Sequence, residues 1–82
     1  MYYVYILYSP SLQKYYKGQT NNLEDRLKRH NQGRNKYTKQ GVPWILMWRC
    51  VKENRSEAVR LETILKKYSQ QQIVDFIAKY AE

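Results

Sequence analysis

This sequence has one cysteine, few acidic residues and no long apolar segment, and each shortage excludes a class of protein. Cys50 alone cannot form an internal disulfide, which is typical of a reducing compartment. No segment approaches the roughly 20 consecutive apolar residues that cross a bilayer. The apolar start, residues 1–8, has no basic flank and is too short for a signal peptide. We therefore expect a soluble, cytoplasmic protein without a membrane partner.

The shortage of acidic residues leaves the chain strongly basic. It has 15 Lys and Arg against 7 Asp and Glu, a formal net charge of +8. This excess favours a polyanionic partner such as nucleic acid, although ribosomal and membrane-surface proteins share it. At 82 residues, with no internal repeat and no low-complexity tract, the chain is expected to form a single domain over residues 1–82 with one modest core.

Apolar periodicity predicts a hairpin at the start of the chain. Residues 2–8 are β-branched and aromatic, and residues 15–19 return after a turn that contains proline. Alternation places Val4 and Ile6 on one face of the first strand and Tyr5 on the other. The phenol of Tyr5 is therefore expected on the face opposite the aliphatic pair.

Three helices and a third strand are predicted after the hairpin. Asn21 or Asn22 is expected to cap a helix that ends near Gln32, before Gly33. The third strand is predicted over residues 44–51. Ser56 and Ser69 are the predicted N-caps of the second and third helices, and Ser69 forms a capping-box pattern with the glutamine three residues on. The fold class is thus α+β, in the order β-β-α-β-α-α, with a three-stranded, mostly antiparallel sheet flanked by helices.

Five polar side chains could form a catalytic group. Arg26 and His30 lie four residues apart on the first helix, beside its apolar stripe. Tyr16 is expected to lie near Tyr5 across the predicted hairpin, and Glu62 lies beside the apolar stripe of the second helix. A guanidinium binds phosphate in a fork, and one carboxylate with substrate oxygens can hold Mg²⁺ or Mn²⁺.

A basic patch follows these residues in sequence. It consists of Lys28, Arg29, Arg34, Lys36 and Lys39, with Tyr37 interleaved. Such a patch can follow a nucleic-acid backbone, although a basic run is more often a solvated face. The chain has no segment left for a base-reading module, so we expect preference for structured or single-stranded nucleic acid. The sequence leaves open whether a protein partner supplies specificity.

Each signal has an ordinary structural interpretation as well. Arg and His four apart are common on helix surfaces, and Glu62 has basic neighbours that can pair with it. Strand tyrosines usually contribute to packing, and Gly18 can mark a bulge. Three rival functions follow: a binding module without catalysis, a basic structural protein, and nucleophilic catalysis by Cys50. The last is disfavoured because Cys50 is expected inside a strand.

The order and spacing of these residues resemble the small bacterial branch of the GIY-YIG nuclease family. Its two triplets match residues 3–5 and residues 16–18. The segment 18–27 resembles the turn into the family's arginine-bearing helix, and His30 with Asn31 follows at the expected spacing. Further likeness occurs at residues 36–38 with 43–44, and at residues 56–62.

The resemblance implies a metal-dependent phosphodiesterase, with one Mg²⁺ or Mn²⁺ ion and DNA as the expected substrate. It implies that Tyr5 and Tyr16 lie near the attacking water, and that Arg26 polarises the scissile phosphate. It implies that Glu62 is the protein ligand of the metal. His30 would assist proton transfer or orient a tyrosine, and Gly18 would permit close approach of the substrate.

Two residues depart from the family pattern. Tyr3 replaces the glycine of the first triplet, which narrows access to the site, and Lys17 replaces the central apolar residue of the second. Lys17 adds a candidate phosphate contact on the strand face opposite Tyr16. A tyrosine that relays a proton near neutrality needs a pKa below its ordinary value of about 10. We expect Arg26, Lys17 and the metal to lower the pKa of Tyr5.

Overall fold

A three-stranded sheet forms the centre of the protein, of which a computed structural model describes residues 1–81. The strands are β1 (Tyr2–Ser9), β2 (Lys14–Thr20) and β3 (Ile45–Lys52). β1 lies in the middle and pairs antiparallel with both neighbours, so the order across the sheet is β2-β1-β3. The predicted antiparallel sheet and element order are confirmed.

Three helices flank the sheet. They are α1 (Leu23–Asn31), α2 (Arg55–Lys66) and α3 (Gln70–Tyr80), and a short 3-10 turn spans Lys39–Gly41. The predicted cap at Asn22 and the capping box at Ser69 are both present. Within residues 1–81, no helix is long and apolar enough to cross a membrane.

The predicted N-cap of α2 is wrong by two residues. The side chain of Asn54, not that of Ser56, accepts a hydrogen bond from the backbone N–H of Glu57 at 2.9 Å. Asn and Ser are equally good caps, so the residue type did not distinguish the two positions. The earlier start places Arg55 at the first helical position.

The core is divided between the two faces of the sheet, where the sequence predicted one cluster. On one face, Val4 and Ile6 pack with residues of α2 and α3. On the other face, Tyr5 and Leu7 pack with Trp44 and with two leucines of α1. The predicted alternation of β1 is confirmed, and because β1 is central, helices cover both of its faces.

The apolar side chains of β3 are less buried than its composition suggests. Ile45, Met47 and Val51 are all more than two-fifths exposed. Trp48 pairs with Ile6 and Leu46 pairs with the next residue of β1, which leaves Met47 as the extra residue of a β-bulge. The bulge interrupts the two-residue alternation that a regular strand would have.

Cys50 lies in β3 and is half-buried against the cluster on the α2 side. Burial raises the pKa of its thiol. A raised pKa disfavours the thiolate, which is the nucleophilic form. The structure therefore favours Cys50 as a packing residue.

Candidate active site

The phenol of Tyr5 and the imidazole of His30 meet under α1. Tyr5 lies in the middle of β1 and is 1% exposed, and His30 on α1 is fully buried. The Tyr5 hydroxyl lies 3.1 Å from Nε2 of His30. The apolar stripe of α1 holds the helix against this face of the sheet, and His30 follows that stripe by one turn. The packing of α1 therefore fixes the position of the imidazole.

Thr38 extends this contact into a chain of three polar groups. Its Oγ1 lies 2.7 Å from Nδ1 of His30, and its carbonyl accepts a hydrogen bond of 2.7 Å from Nε1 of Trp44. Asn31 in turn holds Trp44, because its Oδ1 accepts from the Trp44 backbone N–H at 2.6 Å and its Nδ2 donates to the Trp44 carbonyl at 3.2 Å. Sequence reasoning did not assign Thr38, Asn31 or Trp44 to the site.

The neutral imidazole of His30 gives this chain one of two directions, because one ring nitrogen donates and the other accepts. Thr38 and Tyr5 are each 1% exposed, and each places its hydroxyl on one ring nitrogen. With the proton on Nε2, Thr38 donates to Nδ1, Nε2–H donates to the phenol oxygen, and the Tyr5 hydroxyl proton is left for a ligand. With the proton on Nδ1, Tyr5 donates to Nε2 and Nδ1–H donates to Oγ1 of Thr38.

Tyr16 and Gly18 complete the aromatic part of the site. Tyr16 lies on the same face of the sheet as Tyr5, with ring centroids 6.4 Å apart, and its ring lies 4.9 Å from that of His30. Gly18 pairs directly with Tyr5 across the hairpin. A Cβ at Gly18 would lie 2.5 Å from the phenol oxygen of Tyr5. The glycine thus leaves room for the phenol itself.

Arg26 and Glu62 place opposite charges near Tyr5. Burial raises the pKa of Tyr5 well above its ordinary value, and the charges of Tyr16 and Glu62 raise it further. The guanidinium of Arg26 acts in the other direction and does not overcome burial. The expectation of a lowered pKa is therefore wrong for the protein without ligands, and Tyr5 is a neutral phenol at pH 7.

Glu62 is the acidic group of this cluster and forms an ion pair on its own helix. Its side chain is 16% exposed, and Oε2 lies 3.3 Å from Nζ of Lys66, whose side chain is 55% exposed. Lys17 lies on the α2 side of β2, opposite Tyr16, and burial together with Lys66 lowers its pKa. Glu62 thus lies in a positive environment at the β2 edge.

The single carboxylate of Glu62 suits a hard divalent ion such as Mg²⁺. Within residues 1–81, no three His, Cys, Asp or Glu side chains come together as a metal cage. Mg²⁺ and ions like it are often held by one or two carboxylates and keep several waters for substrate phosphates to replace. The carboxylate of Glu62 suits that mode once Lys66, on its flexible and half-exposed side chain, turns away.

The predicted basic patch is exposed but only part of it is unpaired. Lys28 pairs with Glu24 at 3.7 Å and Arg29 with Asp25 at 3.1 Å, both along the exposed side of α1. Arg34, Lys36 and Lys39 lie in the segment between α1 and β3, around a Tyr37 ring that is 85% exposed. An exposed aromatic ring among cations is available for stacking on a base.

Tyr3, which replaces the glycine of the first triplet, lies on the same face of β1 as Tyr5. It lines an open pocket of about 550 Å³ together with Leu23 and Leu27 of α1 and with Leu46 and Arg49 of β3. The Tyr5 hydroxyl is paired with α1 through His30, while Tyr3 contributes to this neighbouring pocket. The substitution therefore enlarges the aromatic surface beside the site.

Folding stability should fall as the pH falls through the titration range of His30. Burial, assisted by the charge of Arg26, lowers the pKa of His30 to about 4 from an ordinary value of 6.5. Between these values the unfolded chain binds a proton that the folded chain does not, so stability is complete above pH 6.5 and declines towards pH 4. The difference corresponds to roughly 3 kcal/mol over the whole window. Urea unfolding between pH 5 and 7 measures it.

His30 is the sole histidine of the chain, so no other imidazole contributes to this pH dependence of stability. A His30→Gln variant should have lower stability at pH 7 and a flatter pH dependence. An unchanged slope in that variant would assign the effect to carboxylates.

Comparison with known proteins assigns the family. The sequence profile of the GIY-YIG catalytic domain matches residues 1–75. The chain belongs to the GIY-YIG family, a family of nucleases that act on nucleic acid and are generally metal-dependent. Among the residues of the chain's own motifs, Tyr16 and His30 lie against Tyr5, and the charges of Arg26 and Glu62 act on its phenol.

The relatives of this chain are proteins of the UPF0213 group. It is 38% identical over 76 residues to the UPF0213 protein SH2523 of Staphylococcus haemolyticus, covering 92% of each chain. It is 40% identical over 79 residues to the UPF0213 protein CPE1444 of Clostridium perfringens, covering 95% of this chain and 84% of that one. The solution NMR structure of the UPF0213 protein BH0048 from Bacillus halodurans superposes with a TM-score of 0.63 at 29% identity, covering 98% of this chain and 86% of that chain.

Proposed function

We propose that this chain is a metal-dependent endonuclease that hydrolyses phosphodiester bonds in DNA, selecting DNA structure more than base sequence. The observation that carries the proposal is the hydrogen-bonded chain from Tyr5 through His30 to Thr38, on whose phenol the charges of Arg26 and Glu62 act. These groups supply a phosphate fork, an oriented hydroxyl and a carboxylate within one small domain. That set matches the needs of phosphodiester hydrolysis.

In the proposed mechanism Arg26 binds the scissile phosphate and stabilises charge that develops on its oxygens. His30 fixes the phenol of Tyr5 by donating from Nε2, so the Tyr5 hydroxyl is oriented toward the attacking water. Glu62 would hold a divalent ion. When bound, such an ion supplies positive charge that stabilises the leaving oxygen and lowers the pKa of a nearby phenol.

The raised pKa of Tyr5 defines its role further. Glu62 contributes to the raised value through its negative charge. Neutralising that carboxylate removes this contribution, and a phosphate-bound Arg26 keeps its own lowering effect. We infer that Tyr5 orients the water as a neutral phenol in the resting site. It would act as a base only as a phenolate, after bound substrate and cation have lowered its pKa and its own proton has passed to bulk water.

A cleavage assay tests the proposal directly. The purified chain is incubated with Mg²⁺ or Mn²⁺ and with nicked, branched, single-stranded and plain duplex DNA, with matched RNA controls. We expect cleavage that EDTA abolishes, and faster cleavage of at least one nicked, branched or single-stranded substrate than of plain duplex. Binding to all four DNAs without cleavage under either ion would overturn the enzymatic proposal.

One observation favours a second candidate function, a nucleic-acid-binding module. In the resting structure Glu62 is paired with Lys66 and Tyr5 has a raised pKa, which is an arrangement without catalytic readiness. A module of this kind would bind DNA with the same salt dependence and show no metal-dependent product. The assay above separates the two functions.

DNA binding should weaken steeply with salt. If about four cations contact phosphates, the slope of log affinity against log salt concentration should be about −3 to −4. The exposed cations around Tyr37 and the half-buried Arg26 are the expected contacts. Fluorescence anisotropy in EDTA measures the slope without cleavage. The salt concentration is varied from about 50 to about 300 mM, the range over which counterion release dominates.

A flat response to salt would exclude nucleic acid as the partner of this surface. The Tyr37→Ala variant keeps the charge, so it should lower affinity while leaving the slope unchanged.

A further inference from the structure

A second pocket opens beside the candidate active site, at the end of β2. It has a volume of about 200 Å³ and is lined by Tyr2, Gln19, Thr20, Asn21, Arg26 and Arg55. Arg26 belongs to this pocket and also acts on the phenol of Tyr5, so the pocket adjoins the site already described. Arg55 begins α2 and has no role in the mechanism above.

The charged side chains that line the pocket are all basic. Its lining, as far as residues 1–81 define it, contains two guanidiniums and no carboxylate. Within the same residues, neither Arg26 nor Arg55 has a carboxylate oxygen within 4 Å. The N-terminus of α2, where Arg55 lies, adds a partial positive charge. Two like charges in one pocket repel each other, and an anion between them removes that cost.

Gln19 gives the pocket an unsatisfied polar group. The Oε1 atom of Gln19 is buried and has no hydrogen-bond partner within residues 1–81. A buried acceptor without a donor is unfavourable, so this side chain gains by rearranging when a ligand enters. Rotation of the amide would present its NH₂ group as a donor to an anionic oxygen.

We propose that this pocket binds a second backbone phosphate, next to the scissile phosphate held by Arg26, and that Arg55 is the residue that binds it. The proposal rests on the proposed function for the identity of the first phosphate. A nucleic-acid strand carries phosphates at a regular spacing, and Arg55 offers a forked, permanent charge for one of them. Contacts to two successive phosphates fix the direction and register of the strand across Tyr5.

A charge-matched pair of variants tests the contact by affinity. Arg55→Gln removes the proposed contact, and Arg60→Gln removes an exposed arginine of the same helix that lies outside the pocket lining. In EDTA, Arg55→Gln should weaken DNA binding about 5- to 10-fold and reduce the magnitude of the salt slope by about 0.7 to 0.9. Arg60→Gln should stay within about twofold of wild type. Equal losses in the two variants would overturn the proposal, since they would reflect net charge alone.

Single neutral linkages locate the phosphate. Methylphosphonates are placed one at a time along a branched duplex whose branch point fixes the register, and affinity is measured in EDTA. Wild type should be sensitive at two adjacent positions. Arg26→Gln should remove the sensitivity at one of them and Arg55→Gln at the other, because a neutral linkage costs nothing where its partner is already absent. Loss of the same position in both variants, or of none in Arg55→Gln, would overturn the proposal.

This design separates the two proposals. If wild type shows the two positions but never cleaves, the enzymatic function fails and the second phosphate site stands. If wild type cleaves and Arg55→Gln leaves the pattern unchanged, the second site fails and the enzyme stands. Arg55→Lys keeps the charge and should restore part of the affinity, and thermal unfolding checks that each variant is folded.

Discussion

Replacing Glu62 by glutamine should lower metal-dependent DNA cleavage by more than about 10³-fold and leave DNA affinity in EDTA within about twofold of wild type. Such a loss corresponds to about 4 kcal/mol of transition-state stabilisation, within the several kcal/mol that a bound cation supplies to a phosphoryl centre. In the fold, Glu62 is the carboxylate that acts on Tyr5, and the packing of α2 against β2 positions it while Lys66 of the same helix pairs with it. Single-turnover cleavage beside an anisotropy titration measures both quantities.

The matched control is Glu57→Gln on the same helix. Glu57 is exposed in the first turn of α2, where it serves the helix end and not the site. Glu57→Gln removes the same amount of charge as Glu62→Gln but away from the site, so Glu57→Gln should change cleavage by less than about threefold. Wild-type cleavage by Glu62→Gln would contradict the assignment of Glu62 as the metal ligand, and a matching fall in DNA affinity would assign it a binding role instead.

The elements of this fold follow from local sequence rules. The cap at Asn22 and the capping box at Ser69 occur where their residue types predict them. The face of β1 that carries Tyr5 follows from strict alternation along one strand. Each of these features depends on residues that are close together in the sequence, which is the range over which sequence patterns are informative.

Features that depend on tertiary packing were harder to predict. The bulge at Met47 arises where β3 pairs with β1. The strand contains no glycine or proline that would have indicated a bulge. Burial of the Tyr5 phenol depends on α1 lying over it, so the sequence could not show that desolvation outweighs the charge of Arg26. For the same reason the predicted direction of that pKa shift was wrong.

The candidate site shows the same division. Arg26 and His30 could be paired by helical spacing, whereas Thr38 reaches His30 through an irregular segment that no periodicity describes. The approach of Glu62 to Tyr5 requires α2 to pack beside β2 after two intervening elements. Arg55 is related to the site only by the pocket that it shares with Arg26, a relation that depends on how α1 and α2 pack around β2.

Removing the hydroxyl of Tyr5 should have the second large effect, and it should act on catalysis and stability together. Tyr5→Phe is expected to lower cleavage by about 10² to 10⁴-fold, the usual contribution of a positioned proton-transfer group. It also leaves Nε2 of the buried His30 without its hydrogen-bond partner, which should cost about 1 to 3 kcal/mol of folding free energy. Cleavage kinetics and urea unfolding measure the two effects on one sample.

Tyr8→Phe provides the matched control, because Tyr8 lies on the same strand but on the opposite face of the sheet, where its ring packs on Tyr15. It should leave cleavage within about threefold of wild type. Thr38→Val tests the support that His30 receives. It removes the hydroxyl at Nδ1, so the imidazole loses one of its two hydrogen bonds and holds the phenol less firmly. Cleavage should then fall in Thr38→Val although Thr38 touches no substrate, and wild-type cleavage in that variant would contradict a role for Thr38 in positioning His30.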